Sequence, residues 1–339
     1  MLGMVSGGQR LRGQFQFLGA ARTGRWSGRG IQPQNLPRVP KGFSPEAFIR
    51  TAQAGNGLDV VAPAPVLDCV SWSLRACLGE DGTPLWSFDF SQIEARVIAW
   101  LAGQEDVLEV FRDPSQDVYV WTAQQVGSDN RQLGKVLVLA LGFGMGAAKL
   151  RSTAWENYGV RMTEAEAERF KREWRARNPR IVGFWYECEG AARDAILHPG
   201  RVYPVLPSAI TFTATARTLQ MRLPSGRVLY YHKPHVGTGG EITYWGEEKG
   251  AWKQRRTWGG TLAENATQAA ARDIMAEAMS RVATCRGLSP LMTVHDELVY
   301  AAEDTEQLKS LMLEAPSWSG GLPIDGEAKM MTRYSVVTK

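Results

Sequence analysis

The stretch Leu85-Trp-Ser-Phe-Asp-Phe-Ser-Gln-Ile-Glu-Ala-Arg-Val-Ile-Ala-Trp-Leu101 changes its hydrophobic period halfway along. Trp86, Phe88 and Phe90 alternate with Ser87, Asp89 and Ser91, the period of two that marks a half-buried strand. From Ile93 the apolar residues fall four apart, at Ile93, Val97 and Leu101, and form one stripe of a helix. This predicts a strand that ends near Asp89 and a helix that leaves at once, with Asp89 on the side opposite the aromatic rings. Ser91 stands where an N-cap is expected and Glu94 follows three residues later, the pattern of a capping box. By themselves Asp89 and Glu94 read as a turn acid and a capping acid.

A second acidic cluster lies near the other end. Leu291-Met-Thr-Val-His295-Asp296-Glu297-Leu-Val-Tyr-Ala301 sets three polar residues between two short apolar runs, which predicts a hairpin with acids at its tip. Between the two clusters, a helix beginning at Asn130 puts Arg131, Lys135, Leu139 and Phe143 at successive steps of four. At about 1.5 Å rise per residue these span roughly 18 Å on one face, cations at one end and an aromatic ring at the other. A nucleoside triphosphate laid along that face would meet cations with its phosphates and Phe143 with its base; an amphipathic core helix with two solvated cations has the same pattern. The alanine-rich helix from Leu262 to Val282 carries Asn265, Gln268 and Arg272 on one face. Small neighbours let such a face approach a duplex, where Gln and Arg can donate to the acceptors that every base pair shows in the minor groove. It reads equally as a core helix with a polar margin.

Residues 10–42 are rich in Arg, Gly and Pro. Phe15 and Phe17 alternate in a short strand, and a glycine-rich loop with Arg22, Arg25 and Arg29 follows. Glycine lets a backbone come close to phosphates or base edges and arginine supplies a fixed fork of donors. A basic, unstructured N-terminus has the same composition.

In this order, Asp89 through Glu94 to Arg96, Arg131 to Phe143, and Val294-His-Asp-Glu297 resemble motifs A, B and C of the family A DNA polymerases, those related to bacterial DNA polymerase I. Thr23-Gly-Arg25-Trp-Ser27 and Gln34-Asn35-Leu-Pro37 are similar to the family's primer–template signature, and the form around Trp26 and Leu223 to Tyr231 looks most like the bacteriophage and prophage branch. The resemblance implies an α+β fold, an antiparallel palm sheet with helices packed on it and an inserted, mainly helical fingers subdomain, with thumb and exonuclease absent. The implied boundaries are palm at 1–105, fingers with a strand-rich insertion at 106–260, and palm again at 261–339.

The implied activity is template-directed addition of dNMP to a primer 3′ end with release of pyrophosphate. Two Mg²⁺ ions would be held by Asp89 and Asp296, with Glu297 behind them. Lys135 would neutralise or protonate the leaving pyrophosphate and Arg131 would hold its far end. Gln92, Glu94, Leu139 and Phe143 would line the nucleotide; Arg25, Gln34, Asn35, Asn265, Gln268, Arg272 and His295 would meet the primer–template. In relatives a glutamate at the position of Glu94 packs against a tyrosine and blocks a ribose 2′-hydroxyl. Phe143 lacks the phenolic oxygen, so exclusion here would rest on steric filling.

At 339 residues, 44% hydrophobic and 22% charged, the chain has room for a core and two or three subdomains. A net charge of +4 neither requires nor excludes a polyanionic partner. The four cysteines show no metal or disulfide spacing, and no apolar run approaches the roughly 18 residues of a membrane span. The expected place is the cytoplasm of a bacterial host. Expected partners are primer–template DNA, dNTPs and a separate thumb-bearing polypeptide or processivity factor, with no membrane. Two other classes fit part of the pattern. A non-catalytic primer–template-binding remnant of a split polymerase keeps the motifs; a metal-dependent nuclease uses similar carboxylates but gives no reason for the stripe from Arg131 to Phe143. Strands are expected from Arg201 to Trp258, where Lys233, Lys249, Lys253, Arg255 and Arg256 either follow a nucleic-acid backbone or solubilise a loop.

Overall fold

The computed structural model describes residues 5–6, 10–55, 62–79, 82–248, 250–303 and 305–337; Lys249 lies outside them. Two small hairpins come first, β1 (Val5–Ser6) with β2 (Arg10–Leu11) and β3 (Phe15–Gln16) with β4 (Ser27–Gly28). Helices α1 (Pro45–Gln53) and α2 (Val66–Ser73) precede β5 (Leu85–Phe90), which runs into α3 (Ile93–Ala102). Six helices follow: α4 (Glu105–Arg112), α5 (Val118–Gln125), α6 (Arg131–Leu141), α7 (Ala147–Tyr158), α8 (Glu164–Arg177) and α9 (Pro179–Leu197). An antiparallel meander takes up β6 (Tyr203–Val205), β7 (Ile210–Ala214), β8 (Thr218–Arg222), β9 (Val228–Val236), β10 (Ile242–Glu248) and β11 (Ala251–Thr257). The long α10 (Gly259–Arg286) leads to the hairpin β12 (Met292–Val294) and β13 (Glu297–Ala301), then to α11 (Thr305–Leu313), β14 (Gly326–Arg333) and β15 (Val336–Val337). This is the expected α+β architecture, its sheets antiparallel and a mainly helical segment inserted between the strands of the central one.

β5 is the middle strand of that central sheet, in the order β12-β13-β5-β14-β15. The strand is not half-buried as its period predicts: only Asp89 is exposed, because both faces are covered. Trp86, Phe88 and Phe90 pack into the main core with residues of α3 and α10, while Leu85 joins Val294, Val299, Met331 and Tyr334 in a smaller cluster on the other face. Directly paired residues share a face, so Asp89 stands between Glu297 on β13 and Glu327 on β14.

Helix ends follow local chemistry: Asn130 caps α6 by accepting from Gln132 and Leu133, Thr163 and Glu166 form a capping box, and helices stop at Asp113-Pro114 and Asn178-Pro179. The start of α3 and the end of α6 differ from what the spacing predicts. The residue before α3 is Gln92, in a left-handed conformation with φ 48° and no side-chain cap bond, because Ser91 is drawn back to the sheet by its N–H bond to the Asp325 carbonyl. Glu94 is therefore free of a capping role. α6 ends at Leu141, so Phe143 sits beyond the helix in a turn and the four-step stripe is three steps of helix plus a turn residue. Phe17 likewise lies in the turn after β3, edge-on to Trp26 at 5.9 Å.

α5 and α6 pack backbone to backbone. A Cβ at Gly134 would lie 1.8 Å from the Tyr119 carbonyl oxygen, so only glycine permits this approach. It sets the first turn of α5 beside the cationic end of α6. On α10, Ala263, Ala266, Ala269 and Ala270 are fully buried, which seats that helix against α3 and α9. Among the described residues no helix is long and apolar enough to cross a membrane.

Candidate active site

Asp89 is the exposed penultimate residue of β5, and the hairpin β12–β13 turns through His295 and Asp296, with His295 at φ 54°. The Phe90 N–H donates to the Asp296 carbonyl at 3.2 Å and so stitches the turn onto the strand end. Two acids distant in sequence thereby become neighbours. Burial raises the Asp296 carboxyl above its ordinary range and the charge of Asp89 raises it further. Burial also raises Asp89; Lys329 opposes that and Glu327 adds to it. Two carboxylates that resist ionisation together favour a cation between them.

Glu297 accepts a hydrogen bond from the Tyr334 hydroxyl at 2.8 Å, and that hydroxyl accepts in turn from Arg75 Nη1 at 3.3 Å. Burial raises the Glu297 carboxyl against the pull of Tyr334, and Asp89 raises it too.

Released from capping, Glu94 accepts from Arg25 Nη1 at 3.0 Å and is also hydrogen-bonded by Gln268. Burial pushes its carboxyl up to about 7; Arg25 pulls it down, while Asp296 and Glu264 push it up. Arg25, Glu94, Gln268 and Asp296, from four separate segments, thus share one site with Asp89. His295 is close enough for its charge to act on both aspartates.

The remaining expected DNA contacts have other partners. Arg272 donates to the Gly24 carbonyl at 3.0 Å and its guanidinium lies 4.7 Å from the centre of the Trp26 ring, so it clamps the Arg25 loop from beneath. Arg227 holds the same loop at the Thr23 carbonyl, 2.9 Å away. Asn265 donates to the Tyr231 hydroxyl at 3.1 Å. Arg22 stacks on Tyr231 and Tyr244 and donates to the Tyr230 carbonyl, and Arg29 donates to Gln16. A guanidinium prefers such rings and carbonyls to an open loop, which is why the arginine-rich stretch is ordered rather than splayed for phosphates. Gln34 lies against Gly28, where a Cβ would come 2.1 Å from its amide nitrogen, and Asn35 bonds Gln32 at 2.7 Å.

On α6, Arg131 is paired with Asp117 at 2.8 Å and lies 5.0 Å from the Tyr119 ring centre; the Lys135 ammonium is 6.0 Å from the same ring. Burial of Asp117 is outweighed by Arg131 and by the backbone N–H groups of Val120 and Tyr119, and its carboxyl is held below the ordinary range. The Tyr119 hydroxyl is hydrogen-bonded with Gln92, which ties this cationic corner to the start of α3. Leu139 is 38% exposed and flanks it one turn further on. Asp117, Tyr119, Glu327 and Tyr334 were not foreseen as site residues. Asp117 before Val118-Tyr119 has the form of an N-cap, but nothing in the spacing says that Gly134 brings α5 against α6.

Asp89 and Asp296 offer two hard oxygen ligands, a set that suits a cation which takes its other ligands from water and phosphates. Among the described residues no group of three or more His, Cys, Asp or Glu side chains is arranged to hold a metal ion by itself.

Residues 4–200 match the family profile described as DNA polymerase family A. The chain is 36% identical over 348 aligned residues to a protein named DNA polymerase from Bacillus phage SP02, covering 96% of this chain and 52% of the phage protein. Its fold is similar to the POL domain of Pol1 from M. smegmatis, solved in complex with DNA primer-template and dNTP, with a TM-score of 0.61 and 18% identity over 99% of this chain and 50% of that one. The chain spans about half the length of these relatives.

Proposed function

The chain belongs to DNA polymerase family A, and from that premise we propose that it is a DNA-directed DNA polymerase, extending a primer 3′ end by dNMP with release of pyrophosphate in phage or bacterial DNA replication. The observation that carries the reading is the juxtaposition of Asp89 with Asp296 through the Phe90-to-Asp296 bond, facing Arg25, Glu94 and Gln268. In this reading residues 1–105 and 261–339 form the palm and 106–260 the fingers.

Asp89 and Asp296 would hold two Mg²⁺ ions, which lower the charge on an attacking 3′-oxygen and stabilise the leaving one. The chain's own part is positional and electrostatic. Lys135 and Arg131 meet the triphosphate, Lys135 neutralising or protonating the departing pyrophosphate and Arg131 exchanging Asp117 for phosphate oxygens. Tyr334 and Arg75 fix Glu297 behind the aspartates, and Gln92, Leu139 and Phe143 complete the nucleotide's surroundings. Arg25 and Gln268 face the primer terminus from either side of Glu94; Gln34, Asn35 and His295 border the same path. Arg272 and Asn265 contribute by holding the loop and sheet that present it.

Primer extension by the purified chain with Mg²⁺ and dNTPs, beside Asp89→Asn and Asp296→Asn, tests this. Templated products from the parent and none from either variant are expected. Duplex binding without nucleotide addition by the parent would instead assign a primer–template-binding role.

A further inference from the structure

The six-stranded meander displays an unexplained surface. Its inner face, with Leu229, Tyr231, Ile242 and Tyr244, is buried in the main core. The register puts Tyr230, His232, Trp245 and Trp252 together on the opposite face: His232 pairs with Trp245, Trp245 with Gln254, and Glu247 with Trp252. Tyr230 is 49% exposed, Trp245 36% and Trp252 54%, an unusual outlay of aromatic area on adjoining strands. The rings are in mutual register rather than scattered. His232 and Trp252 lie 5.4 Å apart and the Lys233 ammonium sits 5.8 Å from the Trp245 ring centre.

The surroundings carry charge of one predominant sign. On the outer face Arg222 and Arg256, with Lys233 beside Trp245, are exposed against Glu247. Gln220, Gln254 and Arg256 border the rings on the outer face and supply fixed hydrogen-bond donors. A flat sheet face with exposed aromatic rings and peripheral cations is what unpaired bases require, since every base has a π-face and every nucleotide a phosphate. A duplex hides its base faces and offers the rings nothing. With neighbouring strands about 4.8 Å apart, β9, β10 and β11 present a platform for two or three bases.

We propose that the outer face of β9–β11 is a binding site for single-stranded nucleic acid, with Trp245, Trp252 and Tyr230 stacking on bases and Lys233 and Arg256 meeting the phosphates. None of these side chains is among those of the aspartate site, and the proposal does not depend on the catalytic reading.

The test is fluorescence anisotropy of labelled oligo(dT), which has no primer terminus, against the full chain, with a blunt duplex of equal length as comparator and primer extension measured separately. Removing one ring at a time by Trp245→Ala or Trp252→Ala is expected to weaken oligo(dT) binding by a factor of about 5 to 150, the worth of one base stack. Trp252→Tyr should restore most of the loss, and Trp155→Ala, an exposed ring on α7, should change nothing. Retained melting temperature identifies folded variants; if Trp245→Ala fails to fold, Trp252→Ala with its tyrosine rescue decides alone. Unaltered oligo(dT) affinity in the ring variants, an equal loss in Trp155→Ala, or equal losses for single strand and duplex would overturn the proposal. So would concentration-dependent self-association through this face without oligo(dT) binding.

Discussion

Arg25 Nη1 donates to Glu94 Oε1 across 3.0 Å, joining the glycine-rich N-terminal loop to the first turn of the helix that leaves β5. Arg25 thereby faces the same carboxylate that Gln268 approaches from α10, beside Asp296.

Glu94 is the group whose titration should be visible. Its carboxyl is raised from 4.5 to about 7, so the folded protein keeps a proton that the unfolded chain has already released. Stability is then greatest below about 4.5 and falls as pH rises towards about 7, by on the order of 3 kcal/mol for this group. Asp89, Asp296 and Glu297 act with the same sign. In metal-free protein, the melting temperature of the parent relative to Glu94→Gln should fall between pH 5 and pH 8. A difference independent of pH would show that Glu94 titrates normally. Arg25→Ala removes the opposing charge and should move the midpoint higher still.

Asp89→Asn and Asp296→Asn should each lower primer extension by at least about a thousandfold, as expected for groups acting on developing charge. The same changes should raise the melting temperature at pH 8, because each removes a partly desolvated negative charge from a crowded acidic site. Loss of activity accompanied by a lower melting temperature would point to a structural role instead.

Asp117 has two tasks, capping α5 and neutralising Arg131. Asp117→Ser preserves the cap and frees the guanidinium. The expected result is a severalfold lower KM for dNTP with little change in melting temperature, whereas Asp117→Ala should cost about 1 kcal/mol through the lost cap. A higher KM in the serine variant would mean that Asp117 holds Arg131 in its working position.

Tyr334→Phe removes the hydroxyl that Glu297 accepts from and leaves a buried carboxylate short of a donor. A loss of about 1–3 kcal/mol in urea unfolding is expected, with a far smaller effect on rate than Asp89→Asn. An equal effect on rate would place Glu297 in the chemistry itself.

The sequence makes the main elements legible where period and caps agree. β5 into α3, the acid-tipped hairpin, the cap at Asn130 and the break at Asn178-Pro179 all follow from nearest-neighbour chemistry, and with them Asp89 and Asp296. Contacts decided across the chain are another matter. Ser91 resembles a cap, yet the Asp325 carbonyl claims its N–H, and that displacement is what gives Glu94 to Arg25. Arg272 on its polar stripe looks ready for DNA, but Trp26 and the Gly24 carbonyl reach it first. The pairing of Asp117 with Arg131 depends on Gly134 admitting α5, which no period encodes.

The position of β5 also bears on how the chain is made. It begins at Leu85, yet its two pairing strands begin at Glu297 and Gly326. On the ribosome this six-residue strand emerges with neither edge paired and stays so through synthesis of everything between. An apolar segment of that length without proline is the kind that pairs with copies of itself on neighbouring nascent chains. Asp89 is its one charge, the kind of residue that opposes such pairing while the strand waits for its partners.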